Sequence, residues 1–251
     1  MVSQTEPKAG PTGNFKKTHI TEMSTKLIYP DTIVFDLDGT LIDSLPAIRV
    51  ALNQVLSAEG IIKLTTEEVK EVVGFGAKWM INRVHEDFGQ PIKPENLEIL
   101  MDRYLNAYME NSVEYTLVYD GVYEVLAELK SAGVRMGICT NKPGLSTRPV
   151  LQSLKLDQFF GAIITEDDVE NRKPHRQHVL ETIRAVKGDV SKSMFVGDSE
   201  TDMAAAKNAG IPAICVTYGY CHVPYEDLEV EALLSDFHHL PEVLNKLQVS
   251  S

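Results

Sequence analysis

The stretch TIVFDLDGTLIDS, Thr32 to Ser44, runs from a short apolar, β-branched segment directly into two carboxylates, Asp36 and Asp38. TIVF, residues 32 to 35, has the character of a strand buried on both faces of a parallel sheet. The residues just past the end of such a strand emerge at the carboxyl edge of the sheet, where open α/β folds bind their ligands. Two carboxylates one residue apart repel each other, and something must relieve the repulsion. A metal ion, a shared proton or an exposed, water-screened turn would each do so. A calcium loop counted from Asp36 fails on spacing, because its sixth position is Leu41 rather than Gly and its twelfth is Ala47 rather than Glu.

Further strand candidates are VRMGICT from Val134, GAIIT from Gly161, SMFVGD from Ser193 and PAICVT from Pro212. Helical stripes separate them, at Val122, Val125, Leu126 and Leu129, at Leu151 and Leu154, and at Val179, Leu180, Ile183 and Val186. This alternation predicts an α/β fold with a Rossmann-like parallel-sheet core. Between Asp43 and Asp120 no strand pattern is evident, although a simple crossover needs only a few tens of residues. An inserted, all-helical cap domain explains the gap. Its first helix carries Leu45, Ile48, Leu52, Val55 and Leu56, with Ser44 as the expected N-cap and Pro46 in the first turn. Thr65 and Glu68 have capping-box spacing. Two further stripes, Met80, Ile81, Val84 and Phe88, then Leu97, Leu100, Met101, Tyr104 and Tyr108, read as the core of a helical bundle. The expected organisation is a flexible leader over residues 1–28, a core of 29–43 and 120–251, and a cap of 44–119.

A chain of 251 residues with 43% apolar and 24% charged side chains is ordinary for a globular protein. Its net charge of −12 argues against nucleic acid or an anionic membrane as partner, since both need a positive field. The leader is polar and lacks the apolar core of a signal peptide, with Met23 as an alternative start. No apolar run approaches the roughly 20 residues that span a bilayer. Cys139, Cys215 and Cys221 have no metal-binding spacing, and so few fit a reducing compartment. The expected location is the cytoplasm, and the expected assembly a monomer or homodimer.

The chemistry gathers at strand ends. Asp36 and Asp38 come after the first strand, Thr140 and Asn141 after the second, and GDSETD places Asp198 and Asp202 after SMFV. RKPH places Lys173 just before a helix. If these segments are neighbours, carboxylates, a hydroxyl, an amide and an ammonium share one crevice. Hard oxygen ligands suit Mg²⁺, which keeps waters and a substrate phosphate in its shell. His175 and His178, three residues apart with no matched carboxylate, read as a partly exposed helix face rather than a metal site.

Taken in order, DLDGT, the Thr140-Asn141 pair, Lys173 and GDSETD resemble the four motifs of the haloacid dehalogenase-like phosphohydrolases. The runs TNKP, EDDVENRKPH, VGDSETDMAAAKNAG and VTYGY are most similar to the bacterial phosphoglycolate phosphatase branch. The resemblance extends from Thr32 to the C-terminus and is strongest from Thr140 to Tyr220. It departs at Arg176, where related chains often carry proline. The resemblance implies that Asp36 attacks phosphorus and forms an aspartyl-phosphate, while Asp38 is the general acid and then base. It also implies Mg²⁺ on Asp36, the Asp38 carbonyl and Asp198, phosphoryl contacts from Thr140, Asn141 and Lys173, and support from Asp202.

The substrate implied is a small phosphorylated molecule, foremost 2-phosphoglycolate, cleaved to glycolate and phosphate. A different small-molecule phosphatase, a pyrophosphatase or a β-phosphoglucomutase-like enzyme are the enzymatic alternatives. A dehalogenase would not need Asp38, and a phosphonate hydrolase would need a cap lysine such as Lys78. A binding protein that kept the fold but lost turnover is the alternative of a different class. Gly74 and Gly76 in VGFGAKW are no dinucleotide fingerprint, since Trp79 stands where its third glycine belongs. The resemblance places that loop at the substrate entrance, with Lys78, Arg83 or Arg49 as candidate cations for a substrate carboxylate.

Overall fold

Thr32–Phe35 forms a strand, β1, whose four residues are all buried, as expected for a β-branched apolar run between two layers of helix. The computed structural model describes Met1 and residues 29–249, so the expected leader, Met1 apart, lies outside the described residues. After β1 come a two-residue strand β2 (Ile42–Asp43) and four helices, α1 (Leu45–Ala58), α2 (Thr66–Lys70), α3 (Ala77–Asp87) and α4 (Pro94–Tyr115). A second short strand, β3 (Leu117–Val118), closes this insertion by pairing antiparallel with β2. The rest alternates through α5 (Val122–Ser131), β4 (Arg135–Cys139), α6 (Gly144–Ser153), β5 (Ala162–Ile164), α7 (Arg176–Ala185), β6 (Ser193–Gly197), α8 (Glu200–Ala209), β7 (Ala213–Val216), β8 (Ala232–Leu234) and α9 (Leu240–Val249).

The main sheet has the order β5-β4-β1-β6-β7-β8, and every pair in it is parallel. All strands expected from the sequence are present. Three strands depart from the expectation: β2, β8 as an additional edge strand, and β3, which lies inside the stretch expected to hold no strand. All are too short to show a period, and Leu117 and Leu233 are exposed. Alternation along β1 sends Ile33 and Phe35 to one face of the sheet, with Leu126 of α5 and Leu244 of α9. Val34 joins Val179 and Ile183 of α7 and Ala205 of α8 in the other hydrophobic layer. Cys139 and Cys215 are buried and unpaired, and each packs in the hydrophobic layer on the Val34 face of the sheet.

Central placement of β1 does most to build the site. Phe35 registers with Ile138 of β4 on one side and Val196 of β6 on the other. The strand ends that carry Asp36, Thr140 and Asp198 are therefore adjacent.

In the insertion, the stripe of Leu45, Ile48, Leu52, Val55 and Leu56 is buried, and so are Leu100, Met101, Tyr104 and Tyr108 on α4. The Thr65–Glu68 capping box forms as expected, with Glu68 N donating to Thr65 Oγ1 at 3.2 Å and Thr65 N to Glu68 Oε2 at 2.7 Å. Ser44 departs from its expected role, because its side chain caps nothing and its hydroxyl donates to Asp38 instead. A charge-assisted bond to a carboxylate outcompetes a neutral cap. The cap acceptor comes from the other end of the chain: the Tyr220 hydroxyl accepts from Ser44 N at 3.1 Å and Leu45 N at 3.2 Å. It donates in turn to Asp43 Oδ1 at 2.8 Å. A second tie joins insertion and sheet, where His222 stacks on Phe75 and its ring bonds both Glu200 and the Lys70 carbonyl. Among the described residues no helix is long and apolar enough to cross a membrane.

Tyr220 is buried, so Tyr220→Phe leaves the Ser44 N–H without its acceptor, the Leu45 N–H with Asp43 Oδ1 alone, and Asp43 without the hydroxyl donor. The expected loss is about 1–3 kcal/mol of unfolding free energy, measured by urea titration with an unchanged m-value.

Candidate active site

Asp36 is the first residue past β1 and lies in a buried setting, 8% exposed. Lys173 arrives from the loop before α7, and its ammonium donates to Asp36 Oδ1 at 2.7 Å and to Asp202 Oδ1 at 2.6 Å. Asp198 comes directly after β6 and accepts from the Thr40 hydroxyl at 3.1 Å and the Tyr220 N–H at 2.6 Å. Asp36, Asp198 and Asp202 present oxygens within 4.8 Å of one another. Such crowding needs backbone with no side chain in the way. A Cβ on Gly39, which sits at φ +84°, or on Gly219 would lie 2.3 Å from Asp198 Oδ2.

Three buried carboxylates thus face one buried ammonium. Burial pushes Asp36 up to about 7, with the charge of Asp202 adding to the shift and Lys173 opposing it. Burial, then Asp202 and Asp36, also raise Asp198 well above the usual carboxylate range. For Lys173 burial alone would pull the pKa down, but the charges of Asp202 and Asp36 outweigh it and the group is raised. The unbalanced negative charge and the all-oxygen donor set fit a hard divalent cation such as Mg²⁺. Asp202 is the least free of the three. Its Oδ2 accepts from Asp198 N, Ser199 N and the Ser199 hydroxyl while Oδ1 holds Lys173. That arrangement caps α8 and fixes the lysine, which leaves Asp36 and Asp198 as the carboxylates able to hold a cation.

Asp38 turns the other way. Its two oxygens lie 3.0 and 3.1 Å from the ammonium of Lys142, a residue 8% exposed, and Oδ1 also accepts from Ser44. Asp36, Asp38, Thr140, Asn141 and Lys173 line a single cleft, roofed by Met80, Tyr104 and Tyr108 of the insertion. Gly74 and Gly76 line it too, both with positive φ, and a Cβ on Gly76 would meet the Arg172 guanidinium. Thr140 Oγ1 accepts from Lys142 N at 3.2 Å, so its proton stays available to a ligand. The Asn141 amide nitrogen donates to the Lys173 carbonyl at 3.0 Å and, more weakly, to Gly74 at 3.4 Å. Lys78 is not brought to the cleft: it is exposed on α3 and pairs with Glu98 at 2.7 Å.

The family model for haloacid dehalogenase-like hydrolases matches residues 33–216. The chain belongs to the haloacid dehalogenase-like hydrolases. Phosphoglycolate phosphatase of Caulobacter vibrioides is 36% identical over 219 residues, covering 87% of this chain and 92% of the relative. That of Agrobacterium fabrum is 36% identical over 215 residues, covering 85% and 92%. Among solved structures, a predicted phosphoglycolate phosphatase from Haemophilus somnus superposes with a TM-score of 0.78 at 25% identity, covering 88% of this chain and 98% of its own. CbbY from Rhodobacter sphaeroides in complex with phosphate shares the fold, with a TM-score of 0.76 at 23% identity and coverage of 86% and 99%.

In this hydrolase the sequence did not reveal the roles of four positions. Lys142 directly adjoins the Thr140-Asn141 pair, and a lysine at a strand end beside two motif residues was the available signal. Tyr104 and Tyr108 were expected to be bundle core; they are buried, and they also face the cleft. His178 is fully buried rather than partly exposed, because it lies on the face of α7 turned to the sheet. Its Nδ1 accepts from Lys173 N at 3.3 Å, and its Nε2 bonds the Ile164 carbonyl at 3.1 Å. It thereby holds the backbone of the lysine that holds Asp36.

Burial, then the charge of Lys173, pull His178 from its ordinary value of 6.5 down to about 4. The native state thus binds fewer protons here than the unfolded chain, and stability falls as pH drops from about 6.5 towards 4. Replacing His178 by Gln removes this contribution. The melting temperature of the variant is expected to fall less steeply than that of the wild type across that window, measured by thermal denaturation.

Proposed function

We propose that this hydrolase is a phosphatase that cleaves 2-phosphoglycolate to glycolate and phosphate through an aspartyl-phosphate on Asp36. One observation carries the mechanism: the two carboxylates of a single turn are held by two different buried lysines, Asp36 by Lys173 and Asp38 by Lys142. Two equivalent acids would share one environment, whereas these are set for separate tasks. Lys173 occupies Asp36 Oδ1, and among the described residues Oδ2 accepts no hydrogen bond. Oδ2 is the oxygen free to attack phosphorus. Asp38 protonates the leaving alkoxide, then takes a proton from the water that attacks the acyl phosphate. Lys173, the Thr140 hydroxyl and the loop amide of Asn141 stabilise the phosphoryl oxygens as charge moves across them.

Mg²⁺ would be held by Asp36, the Asp38 carbonyl and Asp198, and when bound it neutralises phosphoryl and carboxylate charge. On this proposal the chain divides into a core of 29–43 and 120–251 and a cap of 44–119, with Gly74 and Gly76 on the cap side of the cleft. With Asp36, Lys173, Thr140 and Asn141 engaged at the phosphoryl group, substrate choice is left to residues at the cap–core boundary. The relatives named phosphoglycolate phosphatase support the substrate, and the acidic chain with three unpaired cysteines supports a cytoplasmic setting.

Chelation is expected to abolish hydrolysis and Mg²⁺ to restore it. Asp36→Asn is expected to abolish turnover while the fold persists, and rapid-quench mass spectrometry of the wild type should find the phosphoryl adduct on Asp36. An adduct elsewhere overturns the assignment.

In a panel of small esters, 2-phosphoglycolate should exceed 2-phosphoethanol, which lacks the carboxylate, by at least about tenfold in kcat/KM, or ~1.4 kcal/mol. Preference for a hexose phosphate or pyrophosphate overturns the substrate while leaving the chemistry intact.

A further inference from the structure

Lys142 and Lys173 are the cations that line the cleft among the described residues. Lys173 is committed at the phosphoryl end, where it bridges Asp36 and Asp202. Lys142 lies at the other end, on both oxygens of Asp38. The cations that the sequence offered for a substrate carboxylate are elsewhere. Lys78 pairs with Glu98 and Arg83 with Asp87, both on the exposed surface, and Arg49 does not line the cleft.

We infer that Lys142, with the Tyr108 hydroxyl beside it, is the receptor for the substrate's carboxylate, an assignment that rests on the phosphoglycolate reading above. The connectivity of the substrate decides the place. An ester oxygen placed for protonation by Asp38 carries the carboxylate carbon one methylene further on, so the carboxylate lies alongside Asp38. Lys142 occupies that place. Its ammonium has three protons, and a carboxylate straddled at 3.0 and 3.1 Å takes at most two of them. The ammonium also lies 4.3 Å from the centre of the Tyr108 ring, in a setting where little water competes.

Tyr108 supplies the second sign. It is 1% exposed, lines the same cleft from α4, and its hydroxyl has no partner in good hydrogen-bond geometry, only the looser approach of the Lys142 ammonium beside it. Buried hydroxyls are normally satisfied, and one left over in a binding cleft marks a position that a ligand completes. Lys142 belongs to the core and Tyr108 to the insertion, so a carboxylate bound by both would tie the two together over the reacting ester. Phosphoglycolate offers that carboxylate and 2-phosphoethanol does not. A group that merely positions Asp38 would treat the two esters alike, and this separates the assignment from a structural role.

The test measures kcat/KM for 2-phosphoglycolate and 2-phosphoethanol in the Mg²⁺-loaded wild type and in Lys142→Met, Lys142→Gln, Lys142→Arg and Tyr108→Phe. Both esters are expected to slow in Lys142→Met and Lys142→Gln, because Asp38 loses its partner. The ratio between them should also collapse from at least about tenfold to within about twofold. Lys142→Arg is expected to retain more of the ratio than Lys142→Gln, and Tyr108→Phe to lower it. A readout independent of turnover comes from calorimetry with 3-phosphonopropionate, the methylene isostere of phosphoglycolate, against propylphosphonate. The wild type should prefer the carboxylate and Lys142→Met should not. A ratio and an analogue preference that survive in Lys142→Met or Lys142→Gln overturn the inference alone, and leave Lys142 as a positioning residue for Asp38. A wild-type ratio near one overturns the substrate reading, and the inference with it.

Discussion

The structure depends on a local excess of buried negative charge and on the one ammonium placed to hold it. Asp36 and Asp198 sit at the ends of adjacent parallel strands and Asp202 in the first turn of α8, with Lys173 bridging Asp36 and Asp202. Removing one partner from such a pair leaves an uncompensated buried charge, which is far costlier than the pair itself is favourable. Much of the surrounding chain acts to keep that geometry. Gly39 and Gly219 leave room for the Asp198 carboxylate, Asp202 is pinned at the start of α8 where the helix dipole favours an anion, and His178 fixes the backbone of Lys173.

A parallel sheet can meet this demand where a less ordered scaffold could not. The strands present their ends side by side in fixed register, so a carboxylate one residue past β1 and another past β6 are brought together by backbone hydrogen bonds that extend along the whole sheet. The insertion leaves the sheet immediately after this turn, through β2 and α1, and returns through β3. Its apolar core is continuous with one face of the sheet, while Tyr220 and His222 tie it to the loop after β7. Residues of the sheet and of the insertion thereby line one cleft, with the phosphoryl chemistry proposed for the rigid side and the discrimination for the boundary.

Much of the fold was legible because its signals are local. Apolar β-branched runs such as TIVF and SMFV, and stripes such as Leu45, Ile48 and Leu52, report burial on two faces or one without reference to the rest of the chain. The Thr65–Glu68 capping box is complete within four residues and forms as its spacing predicts. Elements of two or three residues, β2, β3 and β8, carry no period and stayed hidden. Ser44 takes the N-cap position that its neighbours in sequence indicate, but its hydroxyl is drawn to a carboxylate that only the fold brings beside it.

The same division holds for the site. The sequence by itself determined which side chains gather at the proposed site, since Asp36, Asp38, Thr140, Asn141, Lys173, Asp198 and Asp202 each adjoin a recognisable strand or helix end. Only the tertiary structure decided how they pair: Lys173 with Asp36 and Asp202, Lys142 with Asp38, and Lys78 with Glu98 at the surface. The reason is physical. The identity of a titratable group is written at one position, but its partner is chosen by distance and burial. Asp36 and Lys173 are 137 residues apart in sequence, and the fold brings the end of β1 and the loop before α7 together so that they lie within 2.7 Å.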